Sequence, residues 1–253
     1  MTFRPLFFAA SALLLGLGVP ACLSPVAQAA ELTRRDVIED PVAPKLAPKV
    51  YNVTIVEFAD YNCPVCRRMH PAIKALLAGD HKIRFVYRDW PIFGPGSTDA
   101  ARAAIASQWQ GKHAAFNDAL METSGKVDAA AIRAAARKAG VDWGRLQVDL
   151  GRHRGQINSL LARTSHQADA MGLYGTPVLI VGSSLIPGAL DLAGLRGAVA
   201  DARHLPERTR PSGTARIKLH PAQDASQTED GWPTADGGPT TRAAAVSYGD
   251  YRY

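Results

Sequence analysis

A cysteine pair that directly follows a continuous apolar segment constrains the fold of this chain most. Residues 51–58 are β-branched and almost continuously apolar, which predicts a central strand covered on both faces. Cys-Pro-Val-Cys follows at 63–66, and a helix is expected from there to about Leu77, because Pro64 suits a first helical turn in which no N–H is needed. Residues 83–88 predict a second strand, so this part of the chain is a β-α-β unit of an α/β sheet.

Helices are predicted to interrupt the sheet. Residues 97–172 are alanine-rich with a helical period, which indicates four or five helices, the first of them capped by Ser97. Strand signal returns at 178–181 and 185–186, and Asp191 can cap a last helix. The predicted architecture comprises a signal peptide at 1–29, an extended lead-in at 30–49, a sheet domain at 50–96 and 173–204, an all-helical domain inserted at 97–172, and a disordered tail at 205–253.

The N terminus predicts export to the periplasm. A positive start, an apolar run at 6–19 and small residues at 27–29 correspond to the three parts of a removable signal peptide. In an alternative interpretation, residues 19–22 are a bacterial lipoprotein processing site and Cys22 carries a lipid anchor. Either processing leaves only the cysteine pair at 63–66. A pair that closes so short a loop stabilises little, which suggests chemistry rather than structural stapling.

Cys63 is predicted to be the reactive thiol of the pair. The unpaired N–H groups and the positive end of the helix dipole favour its thiolate, and Arg67 and Arg68 add positive charge nearby. Cys66, one turn further on and more buried, is the natural resolving thiol. Glu57 lies within the apolar strand, where burial would raise its pKa and let it carry a proton for Cys66. The alternative is a strand-end Glu57 with a salt-bridge partner.

A metal site is not predicted, and no cofactor is expected. Zinc requires about four ligands, and the mature chain has no second cysteine pair. His70 could supply one ligand, but the simpler interpretation is an exposed or half-buried helix residue. The formal net charge of +6 comes largely from scattered arginines, so no nucleic-acid partner is indicated.

Three motifs together resemble the DsbA-like branch of the thioredoxin superfamily. They are Val-Glu-Phe-Ala-Asp-Tyr-Asn-Cys-Pro-Val-Cys at 56–66, Arg-Asp-Trp-Pro-Ile-Phe-Gly at 88–94 and Tyr-Gly-Thr-Pro-Val-Leu-Ile-Val-Gly at 174–182. They occur in the same order as in that branch, and the resemblance covers about residues 40–203. It implies a thioredoxin fold with an inserted helical domain.

The resemblance also implies roles for individual residues. Cys63 would be the attacking cysteine that forms the mixed disulfide, and Cys66 its partner. Glu57 matches the buried acid of the family, and Pro177 its cis-proline beside the disulfide. Thr176 would meet the substrate backbone and tune the redox poise.

One position departs from the best-known oxidases of this branch. They carry His just before the second cysteine, where this chain has Val65. Because Val65 can neither hydrogen-bond through its side chain nor place charge near Cys63, we expect a less oxidising protein.

The leading hypothesis is an exported thiol–disulfide oxidoreductase that acts as a dithiol oxidase. Its expected partners are exported proteins with cysteines and an unidentified redox partner protein. A monomer is expected, because the short, Pro-rich lead-in is a poor oligomerisation helix. The alternatives are an isomerase or reductase, a non-enzymatic envelope-binding protein that uses the tail, and a carrier of Cu(I) on the reduced cysteine pair.

Overall fold

The structure, a computed structural model, describes residues 32–204 and 218–219. The expected signal peptide, the alternative lipid anchor at Cys22 and most of the expected tail lie outside these residues. Within them, no helix is long and apolar enough to cross a membrane. In chain order the elements are α1 (Arg34–Ile38), β1 (Lys45–Leu46), β2 (Val53–Ala59), α2 (Pro64–Gly79), β3 (Ile83–Asp89), α3 (Pro95–Ser107), a 3-10 turn (Gln108–Gln110), α4 (His113–Met121), α5 (Ala129–Lys138), α6 (Trp143–Arg152), α7 (Arg154–Ala170), β4 (Val178–Val181), β5 (Ser184–Pro187), α8 (Leu192–His204) and β6 (Lys218–Leu219).

The described strands form one mixed sheet in the order β1-β3-β2-β4-β5-β6. β2 and β3 are parallel, joined by α2, while β1, β4 and β5 each run antiparallel to a neighbour. Every residue of β2 and β3 is buried, which confirms the prediction of central strands covered on both faces.

Helices cover both faces of the sheet. Val56 and Val86 lie on one face, in a core shared with Phe116 and Leu146 of the helices between β3 and β4. The opposite face packs against α2 and α8 around residues such as Ile55. Five α-helices separate β3 from β4, as expected, but they share their core with the sheet instead of forming a core of their own.

The lead-in is not extended as predicted, because it contains a helix and a strand. Thr33 begins α1 with a capping box: its hydroxyl accepts the Asp36 N–H at 3.3 Å, and the Asp36 carboxylate accepts the Thr33 N–H at 2.8 Å. The buried Arg88 of β3 donates to the Val37 carbonyl and to Asp40. The lead-in is therefore fixed to the sheet by a charged side chain from another part of the chain.

Ser97 does not cap α3, contrary to the prediction. The helix begins at Pro95 after Gly94, whose φ of 92° is in the left-handed region. The Ser97 hydroxyl is buried and donates to Asp60 Oδ1 at 2.6 Å. A tertiary acceptor has thus replaced the local capping role. Asp191, in contrast, caps α8 as expected, since it accepts a backbone N–H at 2.7 Å.

Two residues of the expected tail are ordered. Lys218–Leu219 form β6, which pairs in parallel with Ser184 and Leu185 of β5. Pairing here satisfies backbone groups that would otherwise form an open sheet edge. The prediction of disorder is therefore wrong for these two residues, and the rest of it lies outside the described residues.

Candidate active site

The cysteine motif lies at the N terminus of α2. Cys63 is the N-cap residue, and Pro64 occupies the first turn. Both cysteines are buried free thiols. The sulfur of Cys63 accepts a hydrogen bond from the backbone N–H of Cys66 at 3.3 Å. A negative charge on this sulfur is therefore stabilised by the helix terminus.

The two thiols have opposite acidities. The pKa of Cys63 is lowered to about 6, chiefly because the Cys66 thiol donates a hydrogen bond to its sulfur, with further support from the backbone N–H groups of Cys66 and Val65. The pKa of Cys66 is raised far above its ordinary value, chiefly because burial penalises its thiolate. At neutral pH Cys63 is mainly ionised and Cys66 is a thiol, which suits an attacking and a resolving thiol.

The loop before β4 closes over Cys63. The peptide bond between Thr176 and Pro177 is cis, as the family resemblance implies. When Cys63 is protonated, its thiol donates to the Thr176 carbonyl oxygen at 3.2 Å. The Thr176 hydroxyl is buried and has no hydrogen-bond partner within the described part of the chain, and it lies close enough to lower the pKa of Cys63 by donating to the thiolate. Tyr174, in the same loop, is 83% exposed.

Asp60 organises the loop between β2 and Cys63. Its buried carboxylate accepts hydrogen bonds from the backbone N–H groups of Asn62, Ile92 and Phe93 at 2.7, 2.7 and 3.0 Å, and from the Ser97 hydroxyl at 2.6 Å. The carboxylate therefore joins three segments of the chain around the cysteine motif. Sequence reasoning did not single out Asp60, although a polar residue directly after the buried strand was a usable signal.

Arg67 holds the same loop from the helix side. It donates to the Tyr61 carbonyl at 2.6 Å and to the Gly125 carbonyl at 2.5 Å. Its charge acts on Cys63, near which it was predicted to lie, and on Cys66, and it also donates to the side-chain oxygen of Asn62 at 3.5 Å. Arg68 is exposed.

Glu57 is buried beneath α2, in the middle of β2. Its side chain is on the face of Ile55, which α2 covers, and its strand neighbours are Tyr87 and Leu179. Burial raises the pKa of Glu57 to about 7, while the charge of His70 opposes that rise. The buried interpretation is therefore confirmed, and the strand-end alternative is wrong. Glu57 also raises the pKa of Cys66, so the two groups interact.

His70 is not the exposed or half-buried residue that was expected. It is 4% exposed and lies one helical turn after Cys66 on the buried face of α2. Its Nε2 is 3.0 Å from Oδ1 of Asp118 in α4, an ion-pair distance at which the ring N–H is not aligned for a hydrogen bond. The prediction failed because α4 covers this face of the helix, a contact that the local sequence does not reveal.

Two further buried groups belong to the same face and were missed by sequence reasoning. Asp89, at the end of β3, has its pKa raised to about 7, chiefly by burial. The His113 ring contacts that of Tyr87 with centroids 4.5 Å apart and planes tilted by 60°, and among the described residues neither ring nitrogen has a hydrogen-bond partner. Burial lowers the pKa of His113 to about 3, so it is neutral at physiological pH.

The two thiols are the soft candidate metal ligands of this site. Among residues 32–204 no group of three or more His, Cys, Asp or Glu side chains converges in a way that could hold a metal ion. The site therefore contains an acidic thiol, Cys63, and a buried thiol that stays protonated, Cys66. The carboxyl group of Glu57 lies close enough to Cys66 to raise its pKa.

Most of the described part of the chain matches a known protein family. The profile of the DSBA-like thioredoxin domain matches residues 54–200, more than half of the chain. The chain belongs to this family. Family membership and the dithiol together indicate a thiol:disulfide oxidoreductase.

Solved structures agree with the DSBA-like classification. A thioredoxin-like oxidoreductase from Silicibacter pomeroyi is 40% identical with a TM-score of 0.64, and the match covers 68% of this chain and 99% of that one. The thiol-disulfide exchange protein alpha-DsbA2 from Wolbachia pipientis is 30% identical with a TM-score of 0.63, covering 66% and 90%. A periplasmic thioredoxin-like protein from Salmonella enterica serovar Typhimurium is 25% identical with a TM-score of 0.58, covering 67% and 94%.

The curated relatives are much longer proteins. A Na(+)/H(+) antiporter NhaA 1 from Salinispora arenicola is 31% identical over 157 residues, which are 61% of this chain and 24% of the relative. The NhaA 3 antiporter from Salinispora tropica is 30% identical over 188 residues, covering 74% and 28%. The chain thus spans about a quarter of the length of the curated relatives it matches, and the antiporter names describe those whole proteins.

Proposed function

We propose that the protein is an exported dithiol oxidase that introduces disulfides into periplasmic proteins through Cys63 and Cys66. The observation that carries the proposal is the division of acidity within the pair: a hydrogen-bonded sulfur at the helix terminus and a buried thiol behind it. A stabilised Cys63 thiolate is a good leaving group and favours the reduced form, which makes the disulfide an oxidant.

The reaction would transfer two electrons from a substrate dithiol. A substrate thiolate attacks the Cys63 sulfur of the oxidised protein. The Cys63–Cys66 bond breaks, a mixed disulfide forms, and Cys66 leaves as a thiolate that takes a proton from Glu57. A second substrate thiolate attacks the substrate sulfur of the mixed disulfide and releases the Cys63 thiolate. The substrate gains a disulfide, and a separate redox partner protein must reoxidise the cysteine pair.

The surface around the pair suits a polypeptide substrate. Tyr174 is exposed beside the cis-proline loop, and Phe93 is 49% exposed in the loop that Asp60 binds. Large apolar side chains at the edge of a site favour segments of unfolded protein. We retain a monomer in the proposal, since Arg88 binds the lead-in to the sheet of its own chain.

The reduction potential tests the oxidase role. A pKa of about 6 for Cys63 lies between those of DsbA (about 3.5) and thioredoxin (about 7), so we expect a potential between their values of about −120 and −270 mV. Equilibration with glutathione buffers measures it, followed by oxidation of a reduced model protein. Cys63→Ser should abolish exchange, and Cys66→Ser should trap mixed disulfides.

Two results would contradict parts of the proposal. A potential at or below that of thioredoxin would make the protein a reductase or an isomerase supplied with electrons. A potential as high as about −120 mV would instead refute the expectation, based on Val65, of a weaker oxidant.

A further inference from the structure

The backbone of Cys63 is only partly fixed by α2. As the N-cap residue it has an extended backbone, with φ of −74° and ψ of 115°, although its carbonyl accepts a helical hydrogen bond from the Arg67 N–H at 3.2 Å. On its other side one backbone bond closes a turn, from the Cys63 N–H to the Asp60 carbonyl at 3.1 Å. The direction in which the chain enters α2 therefore also depends on side-chain contacts around this turn.

The side chain of Asn62, directly before Cys63, joins the turn to the α4–α5 loop (residues 122–128). The Asn62 Oδ1 accepts the backbone N–H of Val127 at 2.7 Å, and its Nδ2 donates to the Ser97 hydroxyl at 3.0 Å and to the Val127 carbonyl at 3.4 Å. One amide thus pairs with both backbone groups of Val127, as a residue on a neighbouring strand would. Because Val127 is fully buried, loss of Asn62 would leave its N–H without a partner, which is costly.

Arg67 binds the same loop from the other end of the cysteine motif. Its guanidinium donates to the Gly125 carbonyl at 2.5 Å. The α4–α5 loop is therefore hydrogen-bonded to the residue directly before Cys63 and to the residue directly after Cys66. Within the described part of the chain the Asn62 side chain makes no hydrogen bond to either sulfur, so it acts on them through the position of the backbone.

A glycine of α3 shows how closely this contact is packed. A Cβ atom on Gly96 would lie 2.5 Å from the Val127 carbonyl oxygen, too near for any side chain, and 3.6 Å from the Asn62 Nδ2. Gly96 lies in a helix, where alanine is the better residue by intrinsic propensity. Glycine at this position lets α3 approach the backbone that Asn62 holds.

We propose that Asn62 is a positioning residue for Cys63: by pairing with Val127 it fixes the cysteine turn against the helices between β3 and β4. The inference rests on the proposed function, in which Cys63 forms the mixed disulfide. The Cys63 thiolate needs its sulfur aligned with the Cys66 N–H, at 3.3 Å, and hydrogen bonds weaken steeply as their geometry departs from the optimum. A released turn would lose this alignment for part of the time. The thiolate would then be less stable and the disulfide a weaker oxidant.

Asn62→Ala tests this role when acidity and redox equilibrium are measured together in the full-length protein. The pH dependence of alkylation by iodoacetamide should show an acid dissociation constant of Cys63 about fivefold lower, the equivalent of about one hydrogen bond. At pH 8 the equilibrium with glutathione should shift toward the protein disulfide by a similar factor. Asn158→Ala, at an exposed asparagine of α7 that accepts one hydrogen bond from Arg102, should change neither value. A lower free energy of unfolding with both values unchanged would make Asn62 a structural residue only and overturn the proposal.

Gly96→Ala disturbs the same contact from α3 and leaves every residue of the cysteine turn in place. Its methyl group must displace the Val127 carbonyl, so the acidity of Cys63 should fall in the same direction. The matched control is Gly151→Ala, an exposed helical glycine at which an added Cβ meets no atom within 4 Å, and it should have no effect. In Asn62→Ala/Gly96→Ala the two effects should not add, because both act through Val127.

The double variant also gives the result that would overturn the route, since fully additive effects would mean that the two positions act on Cys63 separately. If Asn62→Ala does not fold, Gly96→Ala with the same two measurements decides the question, and an unchanged Cys63 acidity there would overturn the role of Asn62. Absence of Cys63-dependent exchange in the unmodified protein would instead overturn the proposed function. The alkylation measurements would still decide whether Asn62 positions Cys63.

Discussion

Cys63 and Cys66 occupy one turn of one helix and are both buried, yet their surroundings give the two thiols opposite acidities. Around Cys63 the chain offers hydrogen-bond donors: the N–H of Cys66, the Cys66 thiol and the hydroxyl of Thr176. Around Cys66 it offers burial and the neighbouring acid Glu57. One side stabilises negative charge and the other suppresses it.

The comparison shows that spacing alone does not give two cysteines their roles. The helix terminus supplies fixed N–H dipoles to the first sulfur only, because the second lies within the helix. The sheet supplies the carboxyl group of Glu57, whose charge raises the pKa of Cys66. Substitutions that change the surroundings of one cysteine and leave those of the other intact can therefore test what gives each thiol its acidity.

Glu57→Gln should have the largest effect, since it removes the acid from the Cys66 side. A positioned general acid contributes roughly 10²-fold or more, so opening of the disulfide by glutathione should slow by about that factor. The Cys63 thiolate should remain, with alkylation by iodoacetamide still following a pKa near 6. Asp201→Asn, which changes an exposed carboxylate of α8, serves as the matched control. Loss of both properties together would mean that the substitution disturbed the fold.

The same variant makes a prediction about stability. The folded pKa of Glu57, about 7, lies above its ordinary value of 4.5, so the folded protein binds the extra proton. This contribution to the free energy of unfolding is fully present below about pH 4.5 and is lost as the pH rises through about 7. At pH 8, Glu57→Gln should therefore be more stable than the unmodified protein, by at most about 3 kcal/mol. Urea unfolding at pH 4 and pH 8 checks both values, and equal differences at the two pH values would contradict the burial argument.

A comparison of Cys66→Ala with Cys66→Ser tests the hydrogen bond that the Cys66 side chain donates to the Cys63 sulfur. Alanine removes the thiol that donates to the Cys63 sulfur, so the pKa of Cys63 should rise from about 6, by about one unit for a lost hydrogen bond to a charged group. Serine keeps an O–H donor and should raise it less. The pH dependence of alkylation of Cys63 measures both values. No rise in either variant would mean that the Cys66 thiol contributes nothing to the acidity of Cys63, which would then depend on the backbone N–H groups and Thr176.

The sequence was sufficient for the elements whose signals are local. The β-branched run before the cysteines became Val53–Ala59, and Pro64 occupies the first turn of α2. Burial of Glu57 was also predictable, because a residue within a continuously apolar strand is buried together with its neighbours. These predictions depend on periodicity and backbone chemistry, which a short segment contains in full.

Three of the failures involve partners distant in sequence. Ser97 donates to Asp60 instead of capping its own helix, and His70 is buried by α4. Lys218–Leu219 pair with the edge of β5. Local propensity could not predict these outcomes, because each depends on an acceptor or a surface supplied by another element.

Asp89→Asn should have a smaller effect, confined to the Cys66 side. The negative charge of Asp89 contributes to the raised pKa of Glu57, so its removal should lower that pKa by less than one unit. The pH profile of disulfide opening should shift to lower pH accordingly. Because asparagine resembles the protonated acid, the free energy of unfolding at pH 5 should change little. A profile that does not move would mean that Asp89 is electrostatically separate from Glu57.

Thr176→Val, compared with the matched variant Thr176→Ser, should have the smallest effect, a change confined to the pKa of Cys63. The backbone carbonyl that contacts the Cys63 thiol is retained in both variants. Valine removes only the buried hydroxyl, which has no partner beside the thiol and can donate to the thiolate. The pKa of Cys63 should therefore rise by a few tenths of a unit in Thr176→Val and stay unchanged in Thr176→Ser, as measured by alkylation.

The size of that rise decides how the Cys63 side distributes its stabilisation. A rise as large as that in Cys66→Ala would make the cis-proline loop an equal partner of the helix terminus, and the redox poise would then depend on the loop that closes over the sulfur. No rise at all would show that the hydroxyl does not turn toward the thiolate. The backbone N–H of Cys66 and the Cys66 thiol would then account for the acidity of Cys63. The acidity of the first cysteine would in that case depend on the same helical turn that contains the second.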